Sequence, residues 1–507
     1  MNYLLGVDLG TSGTKTVLFD EQGTVIASAL REYPLMQPKN GWAEQDPDLW
    51  WQASAETIRE VIEKSGIRGS EIASLGISGQ MHGLVLLDRD GKVLRPSILW
   101  CDGRTQEECD EITRRIGRER LIQISANPAL TGFTAGKILW VQKHEPEIWA
   151  RACHILLPKD YVRYRLTGEF YSEMSDASGT NLLDVPKRTW SKEILEALDI
   201  APELVPPLTE SADVAGHVSA EAARVTGLAE GMPVAAGAAD NMAGAVGTGV
   251  AVQGKAFTTI GTSGVVFAHS DRVQIDPKGR VHTFCSAVPG AWTVMSCTLA
   301  AGLSLKWYRD TFCDNEMVTG RLMGKDPYVL MNEEAALSPI GANRLLFVPY
   351  LMGERSPILD SDARGAFVGL SAMHTRRDLL RAVMEGVIYS QRQNLDILRG
   401  MNVVPETMLA CGGGAKSPFW RQMMADVFGM PVKTVQNAEG PATGAAILAG
   451  TAVGLYKDIP TACEKIIREK DPSMPIAENS AAYEPYYRIY TSVYPALAGV
   501  YGDLAKL

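Results

Sequence analysis

Residues 3–20 read YLLGVDLGTSGTKTVLFD, and this stretch decides the predicted fold. It holds two candidate strands, 3–8 and 15–19, on either side of the glycine-rich loop 9–13, and a third candidate strand follows at 24–27. A Walker A or dinucleotide-binding loop would be followed by a helix. Here a strand follows, so we predict a β-hairpin whose loop holds phosphate through backbone N–H groups and hydroxyls.

The loop sequence Gly10-Thr11-Ser12-Gly13 occurs again as Gly261-Thr262-Ser263-Gly264, about half the chain later and again between apolar runs. The repeat predicts two similar halves, each of which offers a phosphate-binding hairpin to a shared cleft. We place the boundary between them within 249–255, which gives an N-terminal domain of residues 1–250 and a C-terminal domain of residues 251–507.

Other patterns predict alternating strands and helices, as an α/β protein requires. Apolar periodicity predicts helices over residues 48–64 and 378–399, and the second ends at Gly400. Strands are predicted at 72–78 and 408–411. A further helix begins with Ser417 as its N-cap and Pro418 in its first turn, and ends at Gly429.

Composition limits the classes of partner. The chain has 507 residues, of which 46% are hydrophobic. Its net charge is −10, and because binding to a phosphate backbone needs clustered Lys and Arg, we expect no nucleic-acid partner. The longest uncharged run, 281–305, is interrupted by Pro289-Gly290 and predicts two strands and a helix start, so we expect no membrane span. The eight cysteines form no CxxC pair, which predicts buried, unpaired thiols in a reducing, cytoplasmic compartment: Cys101, Cys109, Cys153, Cys285, Cys297, Cys313, Cys411 and Cys463.

Two acidic residues are candidates for chemistry. Asp8 ends a strand beside the first phosphate loop, where a carboxylate can hold Mg²⁺ directly or through water. Asp240 follows an apolar strand among small residues, where a carboxylate can accept a proton from a substrate hydroxyl. The alternatives are a turn-stabilising Asp8 and an Asp240 that caps a helix over residues 242–246.

Two glycine-containing segments are candidates for ligand binding. Ser78 to Gly83, with Gln80, Met81 and His82, suits a polyhydroxylated ligand, although a single histidine is more often structural. Gly412-Gly413-Gly414 precedes a helix, and its backbone allows close approach of a negatively charged ligand.

Together these motifs resemble the FGGY family of carbohydrate kinases. Residues 132–140 (GFTAGKILW) resemble one signature of the family, and residues 365–370 with 382–385 resemble a second. The resemblance runs from Gly6 to about Gly450. It implies an actin-like (ribonuclease H-like) two-domain ATPase fold with a cleft between the domains, with ATP and Mg²⁺ as cofactors and a small-molecule sugar as substrate.

The resemblance also implies residue roles. Asp240 matches the catalytic base, and Asp8 matches the acidic residue near Mg²⁺ and the phosphates. Met81, His82, Trp100, Asp240 and Asn241 match sugar-binding positions. Nucleotide-binding positions are matched by Thr11, Ser12, Lys15, Gly261, Thr262, Gly413 and Gly414, although whether Lys15 reaches phosphate is left open.

Five further segments, 42–51, 79–83, 98–104, 156–161 and 175–180, resemble most closely the family members that phosphorylate D-xylulose at its 5-hydroxyl. The alternatives are the same chemistry on gluconate, ribulose or glycerol, and a non-catalytic actin-like ATP-binding sugar sensor. The sequence does not decide between a monomer and a homodimer.

Overall fold

The computed structural model describes residues 2–436 and 439–507. Each half is built on one seven-stranded sheet. The strands of the first sheet are β1 (Tyr3–Leu9), β2 (Gly13–Asp20), β3 (Val25–Glu32), β4 (Ile72–Gly79), β5 (Val214–His217), β6 (Pro233–Ala235) and β7 (Ala238–Ala239). The strands of the second are β8 (Lys255–Ile260), β9 (Gly264–Ser270), β10 (His282–Cys285), β11 (Trp292–Thr298), β12 (Thr407–Cys411), β13 (Val432–Val435) and β14 (Glu469–Ser473).

The principal helices surround these sheets. They are α1 (Pro47–Ser65), α2 (Gln106–Ile116), α3 (Arg118–Ser125), α4 (Thr134–His144), α5 (Pro158–Thr167), α6 (Ala220–Thr226), α7 (Asp240–Thr248), α8 (Gly302–Phe312), α9 (Asp314–Met323), α10 (Pro327–Ala335), α11 (Arg376–Gly400), α12 (Pro418–Phe428), α13 (Gly440–Ala452), α14 (Ile459–Ile466) and α15 (Ala477–Leu504). Short helices lie at Pro146–Trp149, Met174–Ala177 and Lys192–Ala197, and short strand pairs lie outside the two sheets.

Both sheets have the same centre. In the first, β1 pairs antiparallel with β2 and parallel with β4. In the second, β8 pairs antiparallel with β9 and parallel with β12. The two GTSG loops join the two antiparallel pairs, so the predicted hairpins and the predicted relation between the halves are confirmed. The α/β fold with two related halves is that of an actin-like ATPase.

Local sequence signals explain several element boundaries. Ser417 accepts a hydrogen bond from the Trp420 N–H and caps α12, which ends at Gly429 in a left-handed conformation, as predicted. The Pro289-Gly290 turn separates β10 from β11, and α8 follows, so the uncharged run 281–305 folds as predicted. No helix in the described part of the chain is long and apolar enough to cross a membrane.

All eight cysteines are unpaired, as expected. Cys109, Cys285, Cys313 and Cys463 are buried, but Cys101 is exposed. The prediction of burial is therefore wrong for Cys101, because it lies in a loop after a short strand and not within a sheet or helix core.

The halves are joined by two helices that cross closely. α13 packs against β1 and β4 of the first sheet, although it lies late in the chain, and α7 packs on α13. Glycines permit this approach: a Cβ atom on Gly444 would overlap the carbonyl oxygen of Ala243, and one on Gly247 would overlap that of Gly440. We call this α7–α13 contact the glycine seam.

Candidate active site

Asp240 is the first residue of α7, directly after β7. Its Oδ1 accepts hydrogen bonds from the backbone N–H (2.6 Å) and the side-chain Nδ2 (3.0 Å) of Asn241. The N-cap residue of the helix is Ala239, and Asp240 accepts a first-turn N–H, that of Asn241. The helix begins at Asp240 and not at residue 242, as the alternative supposed. No hydrogen bond from a described residue reaches Asp240 Oδ2.

Asp8 lies close enough to Asp240 to influence its ionisation. Burial, and then the charge of Asp8, raises the pKa of Asp240 to about 7, although the hydrogen bonds from Asn241 oppose the shift. Burial raises the pKa of Asp8 to about 6, against a 3.2 Å hydrogen bond from Ser78 and the charge of Lys15. A carboxylate whose pKa lies near neutral pH is suited to accept a proton in a reaction.

The raised pKa of Asp240 predicts a pH-dependent effect on stability. The ordinary value is 3.8, so the folded protein holds this proton to higher pH than the unfolded chain does. Ionised Asp240 therefore lowers stability progressively as pH rises from about 4 to about 7. We expect Asp240→Asn to raise Tm in metal-free, nucleotide-free protein, by an increment that grows between pH 5 and pH 7.5 and then levels off.

The control for this measurement is Asp503→Asn, because Asp503 is exposed near the end of α15. Its Tm difference from the native protein should stay small across the same range. An Asp240→Asn increment that does not change with pH would contradict the assigned shift.

On one side of Asp240 lie Met81 and His82. Met81 is buried, and its Sδ lies 3.7 Å from Asn241 Nδ2. His82 has a φ of 68°, in the left-handed region that few non-glycine residues adopt. Its carbonyl oxygen accepts hydrogen bonds from the fully buried Lys137 Nζ (2.7 Å) and from Thr134 Oγ1 (3.1 Å), which hold this backbone conformation.

The first hairpin loop contacts Trp100, which is predicted to bind the sugar. Trp100 Nε1 donates to Thr11 Oγ1 (2.9 Å), which in turn donates to Gln80 Oε1 (3.3 Å). Lys15 forms an ion pair with Glu439, just before α13. The structure thus places Trp100 against Thr11, and Ser12 lies exposed in the same loop.

The second hairpin loop and the glycine triplet share one cavity. Gly261, Thr262, Gly413 and Gly414 line a cavity of about 670 Å³ in the C-terminal half. The predicted residues of the first hairpin do not line it. Sequence reasoning did not assign the other polar lining residues to a ligand site, among them Lys306, Tyr328 and Asn332. The spacing of Tyr328 and Asn332, four residues apart in α10, could have indicated a shared helix face.

A second cavity, of about 800 Å³, runs along the cleft from Asp240 and Asn241 to Gly412 and Lys416. Lys416 also lines the first cavity. The loop 412–416 therefore borders both cavities, so a ligand in the C-terminal half can extend along this loop toward Asp240.

Behind the sugar-side residues lies a buried ionic cluster that sequence reasoning also missed. Lys159 Nζ lies 2.7 Å from Asp160, 3.3 Å from Asp176 and 3.4 Å from Glu173, and Arg163 lies 2.9 Å from Asp160. All five side chains are fully buried. Burial raises the pKa of Asp176 well above its ordinary value, although Lys159 opposes this.

The ionic cluster holds the chain that leads into Asp240. The bonds are Arg163 to the Ala236 carbonyl (2.9 Å), Gly237 N–H to the Ser211 carbonyl (3.0 Å) and Ala239 N–H to Ser175 Oγ (3.1 Å). Glu173 accepts hydrogen bonds from both Ser175 (2.8 Å) and Ser211 (2.7 Å). Because none of these groups contacts water, β7 has little freedom to move relative to the cluster.

Within the described residues, no group of three or more His, Cys, Asp or Glu side chains is placed to hold a metal ion. This does not conflict with Mg²⁺, which protein sites commonly bind through one or two carboxylates together with water and substrate phosphates. Asp8 and Asp240 supply such a pair of carboxylates, so the donor set fits Mg²⁺.

Comparison with known proteins identifies the family. Residues 3–247 match the N-terminal domain, and residues 256–453 the C-terminal domain, of the FGGY family of carbohydrate kinases. A xylulose kinase of Bacillus subtilis (strain 168) is 41% identical over 494 residues, 97% of each chain. The crystal structure of ligand-bound xylulose kinase from Lactobacillus acidophilus superposes with a TM-score of 0.92 at 29% identity, covering 99% of this chain and 100% of that one. The gluconate kinase structure from the same organism gives 0.92 at 30% identity and 99% of both chains. The chain described here belongs to the FGGY family of carbohydrate kinases.

Proposed function

We propose that this kinase transfers the γ-phosphoryl group of ATP to the 5-hydroxyl of D-xylulose, giving D-xylulose 5-phosphate and ADP, with Asp240 as general base. The similarity to xylulose kinases over nearly the full length supports the choice of sugar. The observation that carries the mechanism is the placement of Asp240 in the cleft, with its pKa raised to about 7.

Asp240 orients the attacking hydroxyl and accepts its proton. Both hydrogen bonds from Asn241 go to Oδ1, so Oδ2 is the oxygen left to take the proton. A pKa near neutral pH lets the carboxylate be ionised before attack and protonated after it. The protein does little covalent chemistry in such a transfer, because alignment and charge stabilisation supply most of the rate.

We assign the nucleotide to the cavity lined by Gly261, Thr262, Gly413 and Gly414, with its phosphates directed along the loop 412–416 toward Asp240. The backbone N–H groups of these glycine-rich loops suit phosphate oxygens. Thr11, Ser12 and Lys15 approach the phosphates from the first half. Lys15 exchanges its ion pair with Glu439 for this contact.

We assign Mg²⁺ to Asp8, directly or through water, with Asp240 nearby. Mg²⁺ would supply neutralisation of the charge that develops on the phosphate oxygens. Asp8 is held for this role by Ser78, whose hydroxyl donates to its Oδ1.

We assign the sugar to the space beside Met81, His82 and Asn241, with Trp100 at the border to the first loop. His82 Nδ1 lies 2.7 Å from the Gly179 carbonyl and donates to it, so in the neutral ring Nε2 is an acceptor for a sugar hydroxyl. Burial lowers the pKa of His82 well below its ordinary value, which keeps the ring neutral.

His82→Asn tests this contact. Asn tolerates the left-handed conformation, and its amide nitrogen can replace Nδ1 toward Gly179, but it offers no group at the position of Nε2. We expect kcat/KM for D-xylulose to fall by about 5- to 150-fold, since an unpaired polar group costs roughly 1–3 kcal/mol. Sugar-independent ATP hydrolysis should change much less. His217→Asn, at an exposed position, is the matched control, and an unchanged kcat/KM for His82→Asn would assign His82 a structural role only.

The alternative sugars are ribulose, glycerol and gluconate, and gluconate is favoured among them because a gluconate kinase shares the fold at a TM-score of 0.92. An ADP-release assay across D-xylulose, D-ribulose, D-gluconate and glycerol separates them. D-xylulose should give the highest kcat/KM, and a higher value for another sugar would overturn the choice. ADP release that no sugar stimulates would favour the sugar-sensor alternative. We also propose that the protein is cytoplasmic and forms a homodimer. Sedimentation of the purified protein tests the homodimer.

A further inference from the structure

A cluster of four rings crosses from one half of the molecule to the other beside the proposed sugar site. His82 and Phe133 come from the first half, and their ring centroids are 4.6 Å apart. His282 and Phe284 come from β10 of the second half. The His282 ring lies 5.6 Å from Phe133, and the Phe284 ring lies 6.3 Å from His82. The second half thus contributes two rings beside His82, where we place the sugar.

The hydrogen-bonding state of His282 follows from its neighbour Asn127. The Asn127 amide nitrogen donates to the carbonyls of Ser125 (3.0 Å) and Thr283 (2.9 Å), so its Oδ1 is an acceptor. His282 Nδ1 lies 2.9 Å from that oxygen and donates to it. Burial, and then the charge of Arg355, lowers the pKa of His282 to about 3, so the ring is neutral and Nε2 is an acceptor.

That Nε2 atom is buried and has no hydrogen-bond partner among the residues the structure describes. A buried polar atom without a partner is costly, which suggests that a ligand satisfies it. His82 Nε2 is also an acceptor, by the same reasoning from Gly179. The two histidines therefore offer two acceptors to hydroxyl groups.

Arg355 supplies the complementary donors from the second half. Its loop is fixed: Glu354 Oε1 accepts the N–H groups of Leu299 and Arg355, both at 2.8 Å, and the Ser356 N–H donates to the Cys297 carbonyl (3.1 Å) at the end of β11. Cys297 pairs with Val265, beside the second hairpin loop. The half-buried Arg355 guanidinium has neither an ion-pair nor a hydrogen-bond partner within residues 2–436 and 439–507.

The loop of Arg355 lies beside the strand that carries His282, because the Ser356 hydroxyl donates to the Arg280 carbonyl (2.6 Å), two residues before His282. The charge of Arg355 lowers the pKa of both His82 and His282. Asn241, beside Asp240, contacts Met81, and the neighbouring His82 shares a ring cluster with His282. A sugar whose terminal hydroxyl meets Asp240 and which passes His82 would extend its other end toward His282 and Arg355.

We propose that Arg355 and His282 recognise the carbonyl-bearing end of the sugar: the guanidinium donates to the ketone oxygen, and His282 Nε2 accepts from a neighbouring hydroxyl. A ketone oxygen can only accept hydrogen bonds. The Nε2 atoms of the neutral histidines are also acceptors and cannot bond to it, whereas the guanidinium of Arg355 can donate to it. This assignment rests on the proposed function, and it makes Arg355 a determinant of specificity for a ketose over the corresponding polyol.

The test compares D-xylulose with its two reduction products, xylitol and D-arabinitol, which replace only the ketone by an alcohol. Affinities are measured by calorimetric titration, alongside kcat/KM for D-xylulose. In Arg355→Ala we expect the preference for D-xylulose over the polyols to fall by roughly 5- to 150-fold, with polyol affinity little changed. Arg355→Lys keeps the charge but loses the planar guanidinium group. Its preference for D-xylulose over the polyols should lie between that of the native enzyme and that of Arg355→Ala.

Arg272→Ala is the control, because Arg272 is exposed in the same half. His282→Asn keeps the donor toward Asn127 and removes Nε2, and should weaken D-xylulose and polyols together, since both retain the hydroxyls. A native preference that Arg355→Ala and Arg355→Lys both leave unchanged would overturn the assignment while the proposed function stands. A native enzyme that does not phosphorylate D-xylulose would overturn the proposed function, and the assignment with it.

Discussion

Asp240→Asn should reduce kcat for D-xylulose by about 10²–10⁴-fold, the usual contribution of a general base. The amide has nearly the same shape as the carboxylate but cannot take the hydroxyl proton. Because the same carboxylate also orients that hydroxyl, we expect the loss at the upper end of this range or beyond it. Sugar and ATP affinities should be largely kept, and single-turnover kinetics with calorimetric titration measure both quantities.

Asp471→Asn is the matched control, because Asp471 lines the same cavity and accepts a hydrogen bond from Thr434. It should leave kcat close to the native value. An Asp240→Asn enzyme that retains more than about a tenth of native kcat would show that another group is the base. The combination expected here, a lost reaction with a higher Tm, is typical of an ionisable group kept in a buried site for its chemistry.

Gly444→Ala should be strongly destabilising for so small a substitution. The added Cβ would overlap the backbone carbonyl of Ala243, which belongs to α7 and cannot rotate away as a side chain could. Overpacking of this kind costs roughly 1–3 kcal/mol and more where backbone must shift, which exceeds the gain of up to about 1 kcal/mol that alanine brings to a helix interior. We expect a net loss of roughly 1–2 kcal/mol in the free energy of unfolding, and more if the backbone of α7 must shift.

Gly499→Ala provides the comparison, because a Cβ at Gly499 in α15 meets no atom within 4 Å. This substitution should be neutral or slightly stabilising in chemical denaturation. Equal midpoints for the Gly444 and Gly499 variants would mean that the glycine seam can open without cost.

Local signals in the sequence were sufficient for much of the fold. The strand, loop and strand order around Gly10 predicted the hairpin, and its repeat at Gly261 predicted the second half. Ser417, Pro418 and Gly429 marked the limits of α12 because capping depends on residues adjacent in the chain. Such features are decided within a few residues, so one sequence can show them.

Contacts between distant segments could not be predicted in the same way. Nothing near α13 indicates that it packs on the sheet of the other half, and nothing near His282 indicates that its ring packs against Phe133 of the first half. Lys159 and Asp160 look like surface charges in the sequence, and their burial follows only from partners at 173 and 176 and from the fold that brings them together. The catalytic roles of Asp8 and Asp240 came from the family resemblance and stay predictions.

The ionic cluster behind β7 has a consequence for how this enzyme can diverge. Removal of one partner from a buried ion pair typically costs 3–5 kcal/mol, because the remaining charge is left without compensation. The wall of the pocket built by the first half therefore accepts few mutations, since it depends on five such side chains. Arg355, which we assign to the opposite wall, lies on a loop, and its replacement breaks no ion pair among the described residues. When a relative evolves to use a new sugar, we therefore expect the first substitutions in the second half of the pocket. The residues around Lys159 should stay unchanged.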